Sequence, residues 1–116
     1  MKAIRTRHTW GNRLGFVKLP LILTDVRLYG GAIAQFYFLT ATLEGALSRR
    51  RDDPLVDSVL SQGLNLAPGY QADLAQIFGD EWHAAAARAR TPATEAYCKQ
   101  LEAADSVELV AAAFIL

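Results

Sequence analysis

The side chains best suited to chemistry are few, because the chain has two histidines, His8 and His83, and one cysteine, Cys98. Three such residues make a metal site built from protein ligands alone improbable, and no paired-cysteine spacing or HExxH pattern occurs. A glycine-rich phosphate loop and a serine in a nucleophile-elbow context are also missing. A cofactor that needs a single protein ligand remains possible, and heme is the leading example because one neutral imidazole can hold its iron.

Length and composition narrow the possible classes of protein. The chain has 116 residues, which predicts one domain over 1–116. Its 12 acidic and 12 basic residues balance, so the whole chain has no electrostatic preference for nucleic acid or for a membrane surface. A single cysteine excludes an internal disulfide and favours a reducing compartment, and we expect the protein in the cytoplasm.

The longest uncharged run covers residues 28–43 and contains two glycines, Gly30 and Gly31. A helix that spans a membrane needs about 18–20 predominantly apolar residues, which is more than this run offers. The run therefore predicts a buried core helix, and we expect no membrane span.

The pattern is helical nearly throughout the chain, and no segment shows a sustained alternation of period two. Asp25 or Thr24 can cap a first long helix, and we expect the arginine run at 49–51 in its last turn before Pro54 stops it. The apolar face predicted for this helix comprises Ile33, Phe36, Tyr37, Leu39, Leu43 and Leu47.

Four shorter helical pieces are predicted after Pro54. Pro68 and Gly79 bracket one helix, Thr91 followed by Pro92 starts another, and Asp105 with Glu108 forms a capping box for the last. The apolar side chains that we expect to face inward are Leu55, Val59, Leu60, Leu74, Ile77, Phe78, Trp82, Tyr97, Leu101, Val107, Leu109, Val110 and Phe114.

Five short patterns follow one another in a distinctive order. In chain order they are His8-Thr9 with Phe16 eight residues on, Phe36-Tyr37-Phe38, Leu43-Glu44, Asp73-Leu74 with Gly79 and Trp82, and Thr91-Pro92-Ala93 with Tyr97, Lys99 and Leu101. This order resembles the first two-thirds of a heme oxygenase of the biliverdin-producing type. The resemblance extends over essentially all 116 residues.

The resemblance implies an all-α, single-domain, multi-helix heme oxygenase-like bundle that binds heme as both substrate and cofactor. By position, His8 would be the ligand of the heme iron, and Asn12 would stand beside it where many members have glutamate. Tyr37 and Phe38 would be wall residues of the heme site. Dioxygen and an electron donor, a ferredoxin or a flavoprotein reductase, are also implied, and the products would be biliverdin, carbon monoxide and ferrous iron.

The chain departs from the family pattern in two places. Thr40 stands where the family has a tyrosine of the heme site, and the apolar run at 110–116 has no glycine or polar tail. We therefore expect a chain cut before the family's glycine-rich distal helix. Two alternatives remain: a heme-binding relative without turnover, and a helical interaction domain that does not bind heme.

Five basic residues precede the first acidic residue, Asp25; they are Lys2, Arg5, Arg7, Arg13 and Lys18. If heme binds near His8, this cationic patch could donate charge-assisted hydrogen bonds to its anionic propionates. Solvated surface charge is the alternative role for each of these side chains.

Overall fold

A computed structural model describes residues 25–116, and this part of the chain folds into α-helices with no strand. The helices are α1 (Val26–Ser48), α2 (Pro54–Leu60), α3 (Ala67–Phe78), α4 (Trp82–Ala89), α5 (Pro92–Ala103) and α6 (Ser106–Ile115), with a short 3-10 helix at Gly79–Glu81 between α3 and α4. The predicted all-α fold is confirmed. No helix in the described range is long and apolar enough to cross a membrane.

Three of the predicted helix starts are capped as the sequence indicates. The Asp25 carboxylate accepts a hydrogen bond of 3.0 Å from the backbone N–H of Arg27, and the Thr91 hydroxyl accepts one from the start of α5. At α6, Asp105 and Glu108 form the complete capping box. The hydrogen bond from the Glu108 backbone N–H is the main reason that the pKa of Asp105 lies below its ordinary value of 3.8.

Helix α3 is capped by a residue from another helix. Its N-cap residue, Leu66, has no side chain that could accept a hydrogen bond. Instead the Glu44 carboxylate, on α1, accepts hydrogen bonds from the backbone N–H groups of Leu66 and Ala67, the latter at 3.1 Å. An anionic acceptor at this helix end satisfies unpaired N–H groups and opposes the positive end of the helix dipole.

The core consists of two apolar clusters that share α1. Toward its C-terminal end, α1 contributes Leu43 and Leu47 to a cluster with Val56 and with buried side chains of α5 and α6. Toward its N-terminal end, Ile33 and Ala34 pack with Leu74, Trp82 and Ala86 of α3 and α4. Residues 25–116 therefore pack around one long helix; the inclusion of residues 1–24 in the same domain stays a prediction.

Four apolar residues expected in the core are exposed instead: Phe36 on α1, Leu55 on α2, and Val107 and Phe114 on α6. Leu55 is 44% exposed and its neighbour Val56 is fully buried, because the inner face of α2 carries residues 56, 59 and 60 at helical spacing. On α6, Val107 and Phe114 are 66% and 79% exposed, because they lie seven residues apart on the face opposite buried Leu109.

The arginine run also differs from the prediction. Helix α1 ends at Ser48, so Arg49 is its C-cap and the run lies in the following turn. The guanidinium of Arg50 donates a hydrogen bond of 3.0 Å to the carbonyl of Ala104, and a second of 3.4 Å to the hydroxyl of Ser106. Arg50 thus links the end of α1 to the start of α6 through hydrogen bonds, and its charge is not simply solvated.

Gly30 marks the closest approach between α1 and α3. A Cβ atom at this position would stand 2.5 Å from Cζ of Phe78 and 3.0 Å from Cγ2 of Ile77. The neighbouring Gly31 has open space at the same position. Only the first glycine is therefore needed for packing, and its missing side chain lets the Phe78 ring lie against the α1 backbone.

We expect Gly30→Ala to lower the free energy of unfolding by about 1–3 kcal/mol, because the added methyl group forces the Phe78 ring to move. Gly31→Ala is the matched control, and it should raise the stability by about 0.5–1 kcal/mol through helix propensity alone. Urea unfolding followed by circular dichroism measures both. Equal effects of the two substitutions would contradict the close packing at Gly30.

Candidate functional site

Within residues 25–116, one face of α1 is covered along the C-terminal half of the helix and exposed along its N-terminal half. Phe36, Thr40, Leu43 and Leu47 recur at spacings of four, three and four residues, which places them on one side of the helix. The last three are buried, whereas Phe36 is 49% exposed. The other described helices therefore cover this side of α1 from Leu47 back to Thr40 and leave Phe36 half exposed.

The uncovered part consists of Leu28, Tyr29, Ala32 and Phe36, which we call the open face. All four side chains are exposed, and none carries a charge. The Phe36 ring stacks on the ring of Tyr70 from α3, with centroids 5.8 Å apart and planes inclined by 19°. Exposed uncharged side chains that lie side by side form a surface able to contact an apolar partner.

Tyr37 and Phe38, the wall residues implied by the resemblance, lie next to the open face and point toward other helices. The Tyr37 ring meets Trp82 edge-on at a centroid distance of 5.5 Å, and the Phe38 ring lies 5.0 Å below the guanidinium of Arg90. Both rings are partly buried against the cluster that contains Leu74. Their contact with a ligand stays a prediction.

Gln35 holds the turn between α4 and α5 against α1. Its side-chain N–H₂ group donates hydrogen bonds of 2.8 Å to the carbonyls of Gly31 and Ala89. Its carbonyl oxygen accepts a hydrogen bond of 3.1 Å from the backbone N–H of Thr91. The sequence analysis did not single out Gln35, although a lone carboxamide within the apolar run at 28–43 indicates a side chain with a specific hydrogen-bond partner.

Thr40 does not present its hydroxyl to a ligand. The Thr40 Oγ1 atom lies 2.7 Å from the carbonyl oxygen of Phe36 and 3.2 Å from that of Tyr37, so its proton is used by the backbone of its own helix. The side chain is 2% exposed. At this position the chain therefore offers no phenolic hydroxyl, and the hydroxyl that it has is already bonded to its own helix.

Of the remaining residues able to do chemistry, two lie in residues 1–24 and two lie in the part of the chain that the structure describes. His8 and Asn12 lie outside the described residues. The exposed ring of His83 stacks on Trp82 at a centroid distance of 3.5 Å. Cys98 is a buried core residue, and its thiol donates a hydrogen bond of 3.6 Å to the carbonyl of Phe38.

Comparison with known proteins decides the family. The sequence matches the heme oxygenase family over residues 2–115. The chain belongs to the heme oxygenase family. It is 26% identical, over 102 residues, to heme oxygenase 1 of a Nostoc species, and the aligned part covers 87% of this chain and 42% of that relative. No solved structure matches the chain.

The match confirms the family that the order of short patterns predicted. The matched range of this heme oxygenase family member includes His8, Asn12, Tyr37 and Phe38. The chain spans less than half of the length of the Nostoc heme oxygenase 1. The open face lies within the matched range as well.

Proposed function

We propose that this chain binds heme and supports its oxidative cleavage to biliverdin, carbon monoxide and ferrous iron. The observation that carries the proposal is the family match over residues 2–115, which is nearly the whole chain. Heme would be bound as the substrate, with dioxygen as the oxidant. Its apolar macrocycle fits the chemistry of the open face, where four uncharged side chains are exposed side by side.

His8 is proposed as the ligand of the heme iron, and Asn12 as its hydrogen-bond partner. The side-chain oxygen of Asn12 can accept a hydrogen bond from the ring N–H of an imidazole whose other nitrogen binds iron. A neutral acceptor makes the imidazole a weaker donor to iron than a carboxylate would. This pair would therefore tune the iron as well as hold it.

The open face is proposed as an apolar contact surface for the macrocycle. Full burial of a large apolar side chain is worth about 1.5–3 kcal/mol, and the exposed parts of Tyr29 (41%) and Phe36 (49%) offer a fraction of that energy without any need for hydrogen-bond geometry. Tyr37 and Phe38 are proposed as further contacts. Their packing on Trp82 and under Arg90 also fixes the rotation of α1 that presents the open face.

Turnover would need electrons from another protein. We propose a ferredoxin or a flavoprotein reductase as the donor, and the cytoplasm as the compartment, where a lone thiol such as Cys98 stays reduced. The basic residues that precede Asp25 are proposed to attract the propionates of heme through charge-assisted hydrogen bonds.

We expect His8→Ala to weaken heme binding at least about tenfold, which corresponds to about 1.4 kcal/mol, because the bond from the imidazole to iron is lost. The Soret band of a histidine-bound heme should disappear and return when imidazole is added. Heme titration followed by absorbance measures the affinity. In the same samples, with dioxygen and reduced ferredoxin, the formation of biliverdin tests turnover.

His83→Ala is the matched control for the iron ligand, because His83 is the chain's other histidine and its exposed ring only stacks on Trp82. This variant should keep the Soret band. Loss of the band in His83→Ala with its retention in His8→Ala would refute the assignment of His8.

The unmodified protein separates the proposal from the two alternatives. Heme binding without formation of biliverdin would favour a relative that binds heme without turnover. The absence of any heme binding would favour a helical interaction domain.

Asn12→Asp should lower the reduction potential of bound heme, because a carboxylate partner makes the imidazole a stronger donor to iron. The free energy of unfolding should change little. Spectroelectrochemical titration of the heme-bound protein measures the potential, with unmodified protein beside it. A potential that stays the same or rises would show that Asn12 does not contact the ring of His8.

Ala32→Asp should weaken heme binding about tenfold or more, because it places a charge in the middle of the proposed apolar contact. Ala87→Asp is the control, since Ala87 is also an exposed alanine within a helix and lies on α4, outside the open face. The two affinities are compared by heme titration. Equal heme affinities of the two variants would show that the open face does not contact heme.

A further inference from the structure

A concave surface lies between the start of α1 and helix α4. This cleft has a volume of about 480 Å³ and is lined by Arg27, Phe78, Glu81, Ala85, Arg88 and Ala89; we call it the arginine cleft. Arg27 precedes Phe36 by nine residues, which at 100° per residue places the two on opposite sides of α1. The arginine cleft is therefore separate from the open face.

The two arginines of the cleft are not neutralised by a carboxylate. Within residues 25–116 the structure has one ion pair, between Lys99 and Glu95 on α5, and it involves neither arginine. Residues 1–24 contain no aspartate or glutamate. Glu81 lines the same cleft without forming an ion pair with either guanidinium, so the six described lining residues together carry one net positive charge.

The remaining lining is apolar. The ring of Phe78 is held against the α1 backbone at Gly30, and Ala85 and Ala89 line the same cleft. Guanidinium groups prefer carboxylates, which they can bind through two parallel hydrogen bonds. A ligand with one carboxylate and an apolar body would match both the net charge and the apolar wall.

We propose that the arginine cleft binds a monocarboxylate with an aromatic or aliphatic body. Arg27 and Arg88 hold the carboxylate, and Phe78 contacts the body. Glu81 sets the charge selectivity, because its carboxylate repels a second negative charge on the ligand. The site needs no heme and works independently of the iron ligand.

The test is a protein-detected NMR titration of the full chain with 1-naphthoate, with neutral 1-naphthalenemethanol as the comparison ligand. We expect saturable binding of 1-naphthoate, with shifted signals at Arg27, Phe78 and Arg88, and binding of the alcohol at least about tenfold weaker. Comparable affinity for the two ligands would overturn the proposal, and so would shifts confined to the open face.

Four variants define the roles within the cleft. Arg27→Gln and Arg88→Gln should each weaken 1-naphthoate binding about threefold or more, and Arg51→Gln, an exposed arginine beyond the other end of α1, should leave it unchanged. Glu81→Gln should strengthen it and should improve binding of the dianion phthalate by a larger factor. Circular dichroism checks that each variant is folded. Unchanged binding in both cleft arginine variants, or weaker binding in Glu81→Gln, would refute the assignment.

Discussion

The packing of α1 is the constraint on which the rest of the described structure depends. This helix packs against each of the other five α-helices in residues 25–116, and it supplies large side chains to both apolar clusters. Leu43 and Leu47 of this helix are almost fully buried, and the burial of each such side chain stabilises the fold by about 1.5–3 kcal/mol. A rotation of α1 about its axis would therefore disturb both clusters and both candidate binding surfaces together.

Two polar side chains fix that rotation where apolar packing alone would tolerate some slippage. Glu44 binds the start of α3, and Gln35 binds the turn between α4 and α5. Hydrogen bonds have narrow distance and angle limits, so these contacts specify one register of α1 against its neighbours. Gly30 adds a steric limit on the same helix, because only a residue without a side chain admits the ring of Phe78. The open face and the arginine cleft thus occupy defined, opposite sides of α1.

Local features could be predicted from the sequence, and long-range ones could not. The caps at Asp25, Thr91 and Asp105 form between residues two or three positions apart, so the pattern alone indicates them. Glu44 caps a helix that begins more than twenty residues later, and no local rule connects the two. Leu55 was misplaced because the inner face of a helix as short as α2 is set by docking rather than by periodicity.

The candidate site shows the same difference between features that the sequence predicts and features that depend on tertiary packing. His8 and Asn12 come from a family resemblance, and the family itself is confirmed, but their roles rest on position alone. Tyr37 and Phe38 could be placed on α1 from the sequence. That they turn toward Trp82 and Arg90, and that Phe36 is the ring left open, depends on which helices cover α1. Such coverage is a property of the tertiary arrangement.

The Gln35 contact also bears on how the chain acquires its structure during synthesis. Its partners, Ala89 and Thr91, follow it by more than fifty residues. At typical translation rates of about 5–20 residues per second, α1 leaves the ribosome seconds before that turn exists. During this interval its carboxamide can bind only water or its own helix, and the apolar side chains of α1 that pack on α5 and α6 have no partner surface. That part of the nascent helix therefore passes through a period in which it is open to binding by a chaperone, and the period closes only when α5 and α6 emerge.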